Sequence, residues 1–154
     1  YERDNWFKRD TLRLQSVRFQ VPSVEAVERT RPLRAAYTVQ AREPVHAAGL
    51  RFEVRDEVGT PLATCCLYGL DLQPGLNHFT AEYDLQVLAP GQYSNYFTFF
   101  TQGEGGVQTV EDWVPGIQFT IVDTLSGQEL QWNTKDWGAI ELPKARLVPQ
   151  ENVQ

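Results

Sequence analysis

A chain of 154 residues with a formal charge of −6 and 42% apolar residues reads as one soluble globular domain, large enough to bury about two-thirds of its unfolded surface. The acidic balance argues against a nucleic-acid partner, because neutralising phosphates needs a basic face. No apolar run approaches the roughly 20 residues of a membrane helix, and no secretory signal opens the chain.

Methionine is absent, at position 1 as elsewhere, which leads us to expect an excised domain whose N-terminal neighbour is missing. Residues 1–11 then read as a linker, with the Trp6-Phe7 rings available to pack on that neighbour. The early arginines Arg29, Arg31 and Arg34 read as a solvated edge. The two cysteines are adjacent, Cys65 and Cys66. Neighbours in a strand point to opposite faces and cannot close a disulfide without distortion. We expect one of them buried as a small apolar residue and the other outward, in a reducing compartment.

From Leu12 the period is that of strands. Leu12 and Leu14, then Val17, Phe19 and Val21, alternate with polar residues, and the change of phase near Ser16 predicts a bulge. Pro22 ends this strand, and Ser23–Pro32 reads as a connection. Leu33, Ala35, Tyr37 and Val39 mark a second strand, closed by Pro44. Leu50, Phe52 and Val54 mark a third, with Arg51, Glu53 and Arg55 on its other face. Asp56–Pro61 carries Gly59 and reads as a hairpin into a fourth strand, Leu62–Tyr68. After a loop at Leu70–Gly75, Phe79, Ala81, Tyr83, Leu85 and Val87 form a fifth.

Pro90-Gly91 then turns the chain into the most aromatic strand. Tyr93, Asn95, Phe97 and Phe99 point one way, and Ser94, Tyr96, Thr98 and Phe100 the other. The first set is expected in the core and the second outside. Val107–Gly116, with Trp113, reads as a loop, and Ile117, Phe119 and Ile121 as a seventh strand with Gln118 outward. Ile140 and Leu142 suggest one more short strand that Pro143 stops, and residues 144–154 a tail. About seven short strands separated by Gly/Pro turns indicate an all-β, antiparallel two-sheet sandwich spanning residues 12–143, with Ig-like or jelly-roll topology.

No catalytic or metal motif stands out. The G-x-S-x-G, P-loop and H-E-x-x-H patterns are missing, and His46 and His78 lie in separate segments. Asp56-Glu57 and Glu111-Asp112 are carboxylate pairs of the kind a glycosidase needs, but both read as solvated loop residues. The notable side chains are rings with outward phase or in loops: Tyr96, Phe100, Trp113, Trp132 and Trp137. Beside Arg, Gln and Thr, such rings suit either a sugar chain or a protein interface. The candidate carbohydrate-binding set is Tyr96, Thr98, Phe100, Arg51, Glu53, Arg55, Gln118 and Trp113, with no cofactor.

Three stretches carry a family resemblance: Leu88-Ala-Pro-Gly-Gln-Tyr93, Arg55-Asp-Glu-Val-Gly-Thr-Pro61 and Gly138-Ala-Ile-Glu-Leu-Pro143. In order and spacing they resemble the C-terminal domain of Wzt, the ATPase subunit of ABC transporters that export O-antigen polysaccharide. The pattern breaks at Asp10-Thr11, where a glycine is expected. The resemblance implies a non-catalytic, cytoplasmic carbohydrate-binding domain that recognises a lipid-linked polysaccharide through its non-reducing end. ATP hydrolysis would reside in an N-terminal nucleotide-binding domain working with a membrane permease subunit. It also implies a homodimer, for which we expect Ile140 and Leu142 to add a strand to the partner's sheet. The competing expectation is a structural or protein-interaction sandwich whose exposed rings form a dimer or interdomain contact.

Overall fold

The computed structural model describes residues 9–124 and 132–149. Trp6-Phe7, the end of the tail and part of the polar stretch before Trp132 lie outside the described residues. Among the described residues there are nine strands: β1 (Leu12–Phe19), β2 (Val27–Glu28), β3 (Leu33–Ala41), β4 (Val45–Arg55), β5 (Pro61–Leu72), β6 (Gly75–Tyr83), β7 (Gly91–Gln102), β8 (Gln108–Pro115) and β9 (Phe119–Val122). One four-residue helix, α1 (Thr134–Trp137), follows. No helix among the described residues is long and apolar enough to cross a membrane.

One sheet has the order β1-β3-β6 and the other β2-β9-β7-β4-β5, with β8 also paired to β7. The expected third, sixth and seventh strands therefore do share a sheet, as β4, β7 and β9. The strand after β4 extends that sheet instead of joining the opposite one. This is the Ig-like arrangement in its variable-type form. The bulge at Ser16 is present as a register shift between Leu14 and Ser16 against β3.

Between the sheets lies a core of interlocked rings. Phe97 meets Tyr37 edge-on at 5.4 Å, Phe52 packs at 4.4 Å on Tyr83, and Phe19 meets Phe119 at 5.6 Å. Tyr93, Asn95, Phe97 and Phe99 are all buried, so the inward phase of β7 is as expected. At its start the Tyr93 hydroxyl donates to the Ala89 carbonyl at 2.5 Å. That is the tyrosine corner by which Ig-like sandwiches fix the turn into this strand.

The hairpin at Asp56–Pro61 also forms as expected. Asp56 Oδ1 accepts from the backbone N–H groups of Val58 and Thr60, and Gly59 takes a φ of 88°. Asp10, where a glycine was expected, has a φ of 65°, a left-handed conformation that Asp tolerates better than most residues. Its carboxylate pairs with Arg13 and Arg42.

Several expectations are corrected. Val107–Gly116 is not a loop, because β8 occupies most of it and pairs with β7 from Tyr96 to Gln102. Glu111 and Asp112 are not solvated but buried. Asp112 accepts from the N–H groups of Leu14 and Trp113, and Glu111 accepts from the Thr101 hydroxyl with Arg9 at 3.5 Å. The fifth expected strand ends at Tyr83, and Leu85 and Leu88 close a turn. Val27-Glu28, read as connection, pairs in parallel with Ile121-Val122. Neither cysteine is buried.

The segment around Ile140 pairs with its own chain. Ile140 bridges Leu88, the Ala89 N–H donates to the Ala139 carbonyl, and the Glu141 N–H donates to the Val87 carbonyl. A buried guanidinium holds this segment down: Arg29 Nη1 lies 2.6 Å from Glu141 and 3.7 Å from Asp123, while Nη2 donates to the Gln86 carbonyl.

Candidate functional site

Alternation along β4, β7 and β8 places one side chain in two on the outer face of the larger sheet. In register across the strands, Arg51 faces Thr98, Thr98 faces Trp113, Glu53 faces Tyr96 and Arg55 faces Ser94. Seven of the eight expected site residues thus form one patch. Gln118 lies farther along the same side, just before β9.

The rings stand in layers. Trp113 stacks on Tyr96 at 4.8 Å with 23° between the planes. The Arg55 guanidinium lies 4.5 Å from the centre of the same Tyr96 ring. Trp113 and Arg55 reach it from strands on opposite sides of β7, so both faces of Tyr96 are taken. Trp113 is half-buried, and among the described residues no second ring or guanidinium stacks on it, which leaves it as the candidate stacking surface. A flat indole backed by another ring suits the C–H face of a sugar.

A second layer is built around Phe100, and here outward phase does not bring exposure. Phe100 and Thr98 are each only 2% exposed. Gly49 leaves a gap opposite Phe100, and the ring fills it so closely that a Cβ at Gly49 would sit 2.2 Å from a ring carbon. Arg51 then lies 5.2 Å over the ring, and Tyr68 meets it edge-on at 6.0 Å. Phe100 therefore supports the surface from beneath instead of presenting a face.

Polar atoms join the two layers. Glu53 accepts from the Thr98 hydroxyl at 2.8 Å and has Arg51 Nε at 3.9 Å, while Arg51 Nη1 donates to Gln108. The Nε groups of Arg51 and Arg55 are buried without a hydrogen-bond partner. Tyr68, absent from the expected set, is 63% exposed beside Arg51 and Phe100. Its phenol is pushed up from its ordinary pKa, chiefly by a hydrogen bond with Cys66. Tyr68 was legible as a ring on an expected strand, but only the pairing of β5 with β4 shows that it joins this face.

Past Ser94 the patch opens into a cleft of about 410 Å³, lined by Gln92, Ser94, Gln118 and Thr120 with the carboxylates of Glu25 and Glu57. A volume above about 300 Å³ is in the range of small-ligand sites, and hydroxyl, amide and carboxylate groups are what a polyol hydrogen-bonds. Elsewhere, His46 pairs with Asp71 and His78 meets the Thr38 hydroxyl. Among the described residues no three His, Cys, Asp or Glu side chains converge as metal ligands do. Trp132 and Trp137 pack edge-on against each other at 5.3 Å, and the Trp132 indole donates to the Gly138 carbonyl. This pair lies around α1, away from the patch.

No family model and no curated protein matches the sequence. Among solved structures, one described as the C-terminal domain of Wzt is 12% identical and superposes with a TM-score of 0.70, covering 92% of this chain and 86% of that one. A structural-genomics target, SoR45, is 13% identical over 80% of this chain and 94% of that one, at a TM-score of 0.36, too low to bear on the fold. At such identity the first likeness is one of architecture, and it extends over nearly the whole chain. The protein has the sandwich fold of the C-terminal domain of Wzt.

Proposed function

We propose that this chain is a non-catalytic carbohydrate-binding domain that recognises lipid-linked O-antigen polysaccharide, at its non-reducing end, for export by an ABC transporter. The observation that carries the reading is the outer face of the larger sheet. There the half-buried indole of Trp113, backed by Tyr96 and Arg55, shares a face with a polar cleft on a sandwich of Wzt-like fold. Trp113 stacks on a sugar ring, Arg51, Glu53 and Arg55 bond its hydroxyls, and Gln118 with its neighbours takes the next unit. Thr98 and Phe100 hold these groups in place.

In this reading the domain works in the cytoplasm, at the inner face of the inner membrane. It is tethered to its own nucleotide-binding domain and through that to a permease subunit. A homodimer exchanging the Ile140 segment would keep the Leu88–Ile140 bridge, made between two copies. The second reading, a structural or protein-interaction sandwich whose exposed rings form a dimer or interdomain contact, draws on the exposed Tyr68 and Trp137, with Leu142, Leu147 and Val148 exposed beyond them.

Calorimetry with O-antigen polysaccharides tests the proposal. Trp113→Ala is expected to stay folded and lose about 1–3 kcal/mol of affinity, the size of aromatic stacking measured on nucleic-acid bases. Tyr96→Ala, which removes only the backing, should lose less. Unchanged affinity in a folded Trp113→Ala would move the site off this face. No binding by any polysaccharide, with capture of a protein through the C-terminal segment, would favour the second reading.

A further inference from the structure

The larger sheet ends in β5, whose outer edge has no paired strand among the described residues. Proteins protect such edges with charge, proline, bulges or a covering segment. Here the register with β4 is regular from Ala63 to Leu67 and shifts on either side. The bulges confine any added strand to Ala63-Thr64-Cys65-Cys66-Leu67, which contains no charge, proline or glycine. The inward side of this stretch is also incompletely covered. Cys65 is exposed, and Ala63 and Leu67 are only partly buried.

We propose that this edge pairs with the same edge of a second copy, antiparallel about a two-fold axis at Cys65. Three features select a copy of this chain over another partner. The stretch is centred on Cys65, so Ala63 meets Leu67, Thr64 meets Cys66, and no like charges are opposed. Residues of the same face are then directly opposite each other, so the two outer faces continue on one side of a single sheet. On the other side, Cys65, Ala63 and Leu67 of each copy cover one another. Five paired residues make a small interface, and the association is weak and concentration-dependent. Its consequence is that the faces carrying Arg51, Tyr68 and Phe100 lie side by side, two platforms for one polymer. The interface itself rests on the strand edge alone and holds whether or not the face binds glycan.

The test is oxidative cross-linking of the full chain with copper–phenanthroline. Two Cys65 thiols release two protons to solvent and give one electron to each of two copper(II) ions as the S–S bond forms. Cys66→Ser, with Cys65 its only thiol, should form a cross-linked dimer, and the chain should show concentration-dependent mass by light scattering. Thr64→Lys with Cys66→Lys sets like charges opposite each other twice and should slow Cys65 cross-linking roughly tenfold. Thr64→Lys with Cys66→Glu sets opposite charges there and should restore it. Both positions are exposed, and circular dichroism checks that each variant is folded. Absence of a Cys65 dimer in Cys66→Ser overturns the proposal, as does equal cross-linking, or equal loss of it, in the two charge variants. The Cys65 cross-link, unlike the mass, reports this edge alone and depends neither on the C-terminal segment nor on a polysaccharide.

Discussion

Gly49 and Phe100 show how a single missing side chain shapes a surface. The ring occupies the space a Cβ at Gly49 would need, with three ring carbons within 2.6 Å of that position. Gly49→Ala must expel the ring or shift β4, an overpacking change that typically costs about 1–3 kcal/mol. Chemical denaturation measures the loss. Because Phe100 supports Arg51 and Tyr68, the same variant should also weaken any ligand of the outer face. Asn95 is a buried residue of another kind. Its Oδ1 accepts from the Ile117 N–H at 2.8 Å, and its carbonyl accepts from the Gly116 N–H, which ties β7 to the crossover between β8 and β9. Tyr93→Phe removes the hydroxyl of the tyrosine corner and leaves the Ala89 carbonyl without that donor, at a cost of about 1 kcal/mol.

Among the elements, the segment from Ala139 to Glu141 depends on one charge from elsewhere. Arg29 is 7% exposed and reaches Glu141, Asp123 and the Gln86 carbonyl together. Arg29→Ala strips Glu141 of its guanidinium in a largely buried place, and breaking such a pair from one side costs about 3 kcal/mol. Amide exchange at Ala89 and Glu141, whose N–H groups bond across this junction, should accelerate well before that of β3 or β4. Uniform protection would show that the segment is held by packing alone. The β4–β5 hairpin is locally determined instead. Asp56→Ala loses two side-chain acceptances at Oδ1 on an exposed turn, a change expected to cost about 1 kcal/mol.

At the scale of the molecule, the tyrosines of the sandwich give it an alkaline limit. Burial, together with Tyr83 at hydrogen-bond distance, pushes Tyr37 far up. Burial pushes Tyr83 up to about 12, and Tyr93 up to about 12 against the opposing effect of Arg29. In the unfolded chain these phenols ionise near pH 10. Above about pH 10 the folded state therefore binds more protons than the unfolded one. The stability is present in full below that point and is lost as pH rises through about 12. Ultraviolet titration should show Tyr37, Tyr83 and Tyr93 ionising only together with unfolding. Smooth ionisation of all six tyrosines near pH 10 with the fold intact would contradict this. At the core, Phe97→Ala should cost about 3–5 kcal/mol, because the ring packs against both Tyr37 and Phe52.

What the sequence determined by itself is what neighbouring residues decide. Alternation set the inward phase of Tyr93, Asn95, Phe97 and Phe99, Asp56 and Gly59 set the hairpin, and the change of phase at Ser16 set the bulge. Each depends on backbone geometry within a few residues. Tertiary structure decided which of two alternating faces is covered, because coverage depends on strands distant in the chain. β8 was hidden because Glu111-Asp112 reads as solvated charge. Those carboxylates are buried on donors from remote positions, the Leu14 N–H and the Thr101 hydroxyl. Phe100 was read as exposed, and it is buried because Gly49, Arg51 and Tyr68 from two other strands close around it. One cysteine was read as buried, yet both are exposed, because the strand that carries them is the end strand of its sheet, a place that only the pairing of distant segments decides.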